Sequence, residues 1–152
     1  MSEIRYRKLR KEDISEFIEM RLNQLQEEGA ESILDLVPEL NEYYAKHLMD
    51  GTFVSWIAAD GNKIIGTSGM SFVERPPYYS NPSGKIGLLS SMYTLKKYRR
   101  KGISKQLLAK EIQEAKAYGC GVVQISASDM GVLLYTDFGF EKNCNFMQFK
   151  II

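Results

Sequence analysis

Five basic side chains crowd into six positions, Lys96, Lys97, Arg99, Arg100 and Lys101, and Gly102, Ile103 and Ser104 follow at once. A glycine between a basic run and the start of a helix is a place to hold an anion. The first-turn N–H groups have no partner inside the helix, and they sit at the positive end of its dipole. Gly102 puts no Cβ between backbone and ligand, Ser104 is small enough for the same closeness, and flanking Arg and Lys add charge. The spacing is neither the Gly-x-x-x-x-Gly-Lys-Ser/Thr of nucleotide-binding loops nor the Gly-x-Gly-x-x-Gly of dinucleotide folds. Phosphate chemistry of another kind remains, and so does a solvated basic face or a nucleic-acid-binding module using residues 96–105. Other reactive side chains are sparse. The one histidine, His47, has no partner carboxylate or metal cluster pointed at it, and Cys120 and Cys144 lie far apart in no metal-ligand spacing, so both read as reduced packing residues and no metal is expected. Glu74, ending an apolar run, is a weak candidate for a general base.

The elements that must position these residues follow from periodicity. Residues 3–9 alternate as a short strand. From Glu12 onward Ile14, Phe17, Ile18, Leu22 and Leu25 fall at helical spacing up to Gly29, and Leu40, Tyr43, Tyr44 and Leu48 form a second helix from Pro38 to Asp50-Gly51. Two β-rich runs flank Asp60-Gly61-Asn62, a hairpin signal. Arg75 to Gly84, rich in Pro and Ser, reads as an exposed, mobile loop. Residues 85–95 form a nearly continuous apolar strand, which argues for a central place covered on both faces. After the basic run, Ile103, Leu107, Leu108, Ile112, Ala115 and Tyr118 line one face of a helix that Gly119 closes. Residues 121–127 read as a second buried strand, 129–138 as a short helix breaking at Gly139, and "FMQFKII" as a final strand. The whole is an α/β (α+β) single sheet in one domain spanning 1–152, with no internal repeat.

Composition narrows the function. Apolar residues make up 44% and charged residues 26%, and the net charge is only +1, so a generally basic surface that coats nucleic acid is not expected and the cluster is a local feature. The N-terminal stretch is charged and no segment approaches a membrane span, so the expected address is cytoplasmic, with no membrane partner.

The run "YTLKKYRRKGISKQLL" followed by "ASDMGVLLYTDFGF" resembles the GNAT superfamily of acyl-CoA-dependent N-acetyltransferases. That family's pyrophosphate loop, Arg/Gln-x-x-Gly-x-Gly/Ala at the start of its third helix, is matched by Arg99-Arg100-Lys101-Gly102-Ile103-Ser104, with Ser in the last place. Leu134-Tyr135 and Phe138-Gly139-Phe140 match its C-terminal pattern, whose usual Asn and Ala are here Ser128 and Gly131. The resemblance implies a mixed, mostly antiparallel sheet with two splayed central strands, here 85–95 and 121–127, flanked by about four helices, and acetyl-CoA as co-substrate. It implies that the Met92 N–H faces the thioester oxygen, that the Thr94 backbone bonds the pantetheine, and that the N–H groups of Arg100 to Ser104 hold the pyrophosphate. Arg99 or Lys105 would reach a phosphate, Ser128 would touch the cofactor, and Tyr135 would protonate the departing thiolate. The frequent acid of the central strand is replaced by Leu88, so deprotonation is expected through water ordered by Ser90 or Ser91.

The implied activity is acetyl transfer to a primary amine by direct attack in a ternary complex, an acyltransferase reaction. The competing reading within the fold is a non-catalytic acyl-CoA-binding or regulatory domain. The amine is open between small molecule, peptide and protein N-terminus. Tyr43, Tyr44, Tyr78 and Tyr79 are candidates to line its pocket, and Asp35, Glu39 and Glu42 to attract a cation. The apolar C-terminal segment points weakly to a homodimer.

Overall fold

The computed structural model describes residues 3–143 and 145–152; Cys144 lies outside the described residues. Strands β1 (Ile4–Lys8), β2 (Phe53–Val54), β3 (Trp56–Asp60), β4 (Lys63–Glu74), β5 (Lys85–Thr94) and β6 (Val122–Gln124) form one sheet, and helices α1 (Ile14–Glu27), α2 (Val37–Asp50), α3 (Ile103–Tyr118) and α4 (Val132–Phe138) cover it. The order across the sheet is β1-β3-β4-β5-β6, with β2 pairing β4. Every pairing is antiparallel except β5 with β6.

The period-two alternation of strands divides the core. Ile64 and Ile65 are neighbours in β4 and both fully buried, but they serve opposite faces. Ile64 joins Phe17, Ile18, Tyr44, Phe53 and Ile57 under α1 and α2. Ile65 joins Ala58, Ile103 and Leu107 under α3. Full burial of a side chain such as Phe17 or Leu107 contributes about 1.5–3 kcal/mol. Asp35 accepts the Val37 N–H at 3.0 Å and Pro38 follows in the first turn, which starts α2 where its apolar stripe begins.

Two sequence expectations change. Residues 121–127 are not a buried strand: only Val122–Gln124 pair, none of the three is fully buried, and β6 is the outer strand. The segment 146–152 forms no strand, and no backbone pairing to it is found among the described residues. The 75–84 loop, though exposed at Tyr79, is anchored by buried Asn81, which donates to the Lys85 carbonyl at 3.0 Å and receives the Ser83 hydroxyl at 3.0 Å.

Under α3 lies a buried carboxylate. Glu111 Oε1 accepts from Ser68 Oγ at 2.7 Å and from the Trp56 N–H at 3.1 Å, while Oε2 has no partner. Burial, with some help from the Glu114 charge, pushes its pKa up to about 8. A carboxyl raised above its unfolded value binds more protons in the native state, so its contribution is fully present below the ordinary carboxylate range and is lost as pH rises toward 8. Stability should therefore fall between about pH 5 and pH 8 with a slope approaching about 1.4 kcal/mol per pH unit, and Glu111→Gln should flatten that slope in urea titrations at several pH values. An unchanged slope in the variant would place the pH dependence elsewhere.

Candidate active site

Strand β5 carries an irregularity that creates the site. Its register with β4 runs Thr67 opposite Tyr93 and Gly69 opposite Ser90, so Ser91 and Met92 together face Ser68 alone. Ser91 has a φ of 56°, the left-handed region that a non-glycine residue rarely enters. Two buried side chains hold this bulge by its carbonyls. Thr67 Oγ1 donates to the Ser91 carbonyl at 2.7 Å, and Gln24 Nε2 from α1 donates to the Met92 carbonyl at 3.3 Å. Buried Tyr44 directs its phenol to Ser91, which offsets part of the upward shift that burial gives the phenol, but Ser91 Oγ is left without a bond of good geometry.

On its other edge β5 pairs β6 only through Ile86 to Leu88. Beyond that point the strands part, and the backbone of residues 89–94 has no strand beside it on that edge. Into the opening faces a cleft of about 290 Å³. Arg21 and Gln24 of α1, with Glu28 just past its end, form one wall, Ser90 to Met92 the floor, and Ser126, Ser128 and Tyr135 the other wall. A larger hollow of about 380 Å³, between Lys8, Leu48, Phe53 and Tyr118, contains none of the candidate residues. The smaller cleft is the one with chemistry in it.

Tyr135 is held by packing. It is buried against Phe140, with ring centroids 5.5 Å apart, and a Cβ at Gly131 would come within 2.8 Å of the ring. The glycine that stands in place of the family's alanine thus makes room for the tyrosine. Ser128 closes the start of α4: its Oγ accepts the Gly131 N–H at 3.2 Å and its carbonyl accepts the Gly131 and Val132 N–H groups. Burial, and secondarily the Glu28 charge, pushes the Tyr135 phenol up to about 12, so it carries its proton throughout the neutral range.

The basic loop sits at the end of β5. Arg100 has a φ of 63° and Gly102 one of 78°, after which α3 begins with no side-chain cap and no acidic residue in its first turn. A Cβ on Gly102 would meet no protein atom, so the glycine serves the backbone conformation and leaves open space outside it. Ser104 ties the helix to the strand through Thr94 Oγ1 at 3.0 Å. Lys97 and Lys101 lie over the Tyr98 ring, and Lys105 is exposed. Arg99 turns away from the loop. Its Nε donates to the Thr94 carbonyl at 2.7 Å and its Nη2 to Glu27 at 2.8 Å, which holds the Glu27 carboxyl below its usual range.

Several sequence candidates stay outside the cleft. Glu74 pairs with Lys85 at the far end of the β4–β5 hairpin, about 23 Å along the strand from Met92. Tyr44 is core, Tyr43 bonds Ser71 at 2.7 Å, and Tyr78 and Tyr79 belong to the distant loop. His47 bonds Thr52 at the end of α2. Asp35, Glu39 and Glu42 are exposed and do not line the cleft. What the sequence reading missed is the α1 wall. Ile14, Phe17, Arg21, Gln24 and Glu28 form one helical stripe that turns polar after two turns, and a buried polar end to an apolar stripe was the available signal. Among the described residues there is no group of three His, Cys, Asp or Glu side chains placed to hold a metal, and no helix is long and apolar enough to cross a membrane.

A mostly antiparallel sheet opened at one parallel pair, with a glycine loop and a bulge at the opening, defines the class. The model of the acetyltransferase (GNAT) family matches residues 15–140, and the chain belongs to that family. A predicted acetyltransferase from Clostridium acetobutylicum, crystallised with acetyl-CoA, is 32% identical, with a TM-score of 0.95 over 98% of this chain and 97% of that one. A GCN5-related N-acetyltransferase from Ralstonia eutropha JMP134 shares the fold at 21% identity, with a TM-score of 0.88 over 96% and 97% of the two chains. Glucosamine-6-phosphate N-acetyltransferase from Arabidopsis thaliana does so at 19% identity and a TM-score of 0.77, covering 99% of each. No curated protein matches by sequence.

Proposed function

We propose that this protein transfers an acetyl group from acetyl-CoA to a primary amine by direct attack within a ternary complex. The observation that carries the proposal is that the Met92 bulge and Tyr135 open into one cleft, continuous with the uncovered edge of β5 that leads to the Gly102 loop. The chain fits the co-substrate on three counts. Residues 89–94 lack a neighbouring strand on one edge, the space outside Gly102 is free, and the first turn of α3 has no cap. The backbone of 92–94 would take the pantetheine as an added strand, and the N–H groups of Arg100 to Ser104 would take the pyrophosphate, with Lys101 and Lys105 adding charge. Arg99, already bonded to Thr94 and Glu27, braces this arrangement instead of meeting phosphate.

Acetyl-CoA supplies an acetyl group activated as a thioester. In this reading the Met92 N–H stabilises the carbonyl oxygen as charge develops on it. The cationic acceptor nitrogen loses a first proton to water near Ser90 and Ser91, attacks the thioester carbon to form the C–N bond, and gives its second proton to water as the C–S bond breaks. Tyr135 gives its proton to the departing sulfur and regains one from solvent. Glu28 supplies the negative charge at the cleft that draws in a cationic acceptor, while Gln24 links it to the bulge, donating to Glu28 at 3.2 Å. With four serines beside this carboxylate, the cleft suits a small hydrophilic amine.

Release of free CoA thiol from acetyl-CoA against a panel of amines and peptides tests the proposal. Binding of acetyl-CoA without release would instead favour the non-catalytic domain. Tyr135→Phe should keep fold and acetyl-CoA affinity but lower kcat by about 10²- to 10⁴-fold, whereas a scaffold role leaves kcat at the wild-type value. In the same assay Glu28→Gln should raise KM for cationic acceptors about 10-fold and leave KM for acetyl-CoA unchanged. Equal shifts for cationic and neutral acceptors would remove Glu28 from amine recognition.

A further inference from the structure

Arg21 takes no part in the transfer step, yet it lines the cleft where that step occurs. It stands on α1 one turn before Gln24 and two turns before Glu28. Its side chain makes one hydrogen bond, from Nη1 to Gln24 Oε1 at 3.1 Å, and no carboxylate pairs with it among the described residues. A guanidinium carries its N–H donors in a planar fork that matches carboxylate and phosphate, and most of this fork is free of protein partners.

The opposite charge of the cleft is held away from it. Gln24 stands between the two, its carbonyl oxygen taking the Arg21 donor while its amide donates to Glu28 at 3.2 Å and to the Met92 carbonyl at 3.3 Å. Seven residues of helix separate Arg21 from Glu28, about 10 Å along the axis, so the cleft has two poles. Their neighbours tell which pole faces the chemistry. Burial and then the Glu28 charge raise the Tyr135 phenol, which puts Glu28 at the end where the thiolate departs. Burial raises the Tyr44 phenol, and the Ser91 hydroxyl and then the Arg21 charge oppose that shift, which puts Arg21 at the end toward buried Tyr44.

A plain cationic amine suits only half of such a cleft. Glu28 attracts it and Arg21 repels it, whereas an acceptor that also carries anionic oxygens turns the repulsion into attraction. A space of about 290 Å³ limits that acceptor to a small molecule. We propose that Arg21 determines specificity, and that the acceptor is a small amine bearing an anionic group, its nitrogen at the Glu28 end and its carboxylate or phosphate on the Arg21 guanidinium. This substrate class rests on the acetyl-transfer reading of the site.

Rates of CoA release with matched acceptors test it: amino carboxylates of increasing chain length from glycine upward beside their methyl esters, and aminoalkyl phosphates beside their amino alcohols. In the wild type the anionic member of the pair that fits should have a kcat/KM about 10- to 100-fold above its neutral counterpart, and whether the acids or the phosphates show this tells which anion the guanidinium takes. Arg21→Gln should bring that ratio close to one, Arg21→Lys should restore part of it, and Arg21→Glu should reverse it. Any disturbance passed through Gln24 to the bulge acts on both members of a pair alike, so the ratio reports the charge, and the wild-type comparison needs no variant to fold. Wild-type ratios near one for every pair, or a preference that survives in a folded Arg21→Gln, would overturn the anion subsite and leave acetyl transfer standing. No CoA release with any amine, beside calorimetric binding of an amino carboxylate or aminoalkyl phosphate that Arg21→Gln abolishes, would overturn the transfer and keep the subsite. Neither release nor such binding would overturn both.

Discussion

The site depends on one extra residue in β5. Where Ser91 and Met92 together face Ser68, the strand cannot continue its ladder, and the backbone turns through a φ of 56° at Ser91. Such a conformation persists only when surrounding structure over-determines it. Here the restraints come from both sides. Thr67 grips the Ser91 carbonyl from within the sheet, and Gln24 grips the Met92 carbonyl from the helix above. With the carbonyls occupied by side chains, the bulge is oriented before any ligand arrives, which is what electrostatic catalysis requires of a donor.

That restraint couples the site to the packing of α1. The helix is fastened at its start by Ile14, Phe17 and Ile18 in the core, and its far end then meets β5 through polar groups. Gln24 bonds the bulge, Glu27 accepts the Tyr93 hydroxyl at 2.9 Å and Arg99 at 2.8 Å, and Arg99 in turn holds the Thr94 carbonyl. One chain of contacts therefore runs from the hydrophobic core to the loop before α3. Glu28, one residue beyond the helix, is carried into the cleft by the same placement. Its charge and the burial of Tyr135 act in one direction on the phenol, keeping its proton in place.

Local signals were legible in the sequence and non-local ones were not. The Gly102 loop and the Tyr135 helix each announce themselves within a dozen residues, because a glycine at a helix start and a tyrosine before Phe-Gly-Phe are contiguous patterns. The bulge is a relation between Ser68 and the pair Ser91-Met92, and no periodicity within either strand reveals a register shift between them. Tyr43 and Tyr44 look alike as neighbours in one helix, yet one bonds Ser71 and the other fills the core beside Phe17 and Phe53. Glu74 lies far from the cleft for a similar reason: its distance from Met92 is set by hairpin register and not by sequence separation. The C-terminal alternation has the pattern of a strand, but pattern does not specify a partner, and among the described residues 146–152 form no strand.

The central claim is that the Met92 N–H, presented by the bulge, stabilises the transition state. Incorporating the α-hydroxy analogue of methionine at position 92 replaces that N–H with an ester oxygen and keeps the side chain. Under conditions where chemistry limits turnover, kcat should fall by about 10²- to 10³-fold while circular dichroism and acetyl-CoA affinity stay close to those of the all-amide protein. An ester protein that folds, binds acetyl-CoA and turns over at the original kcat would contradict the account.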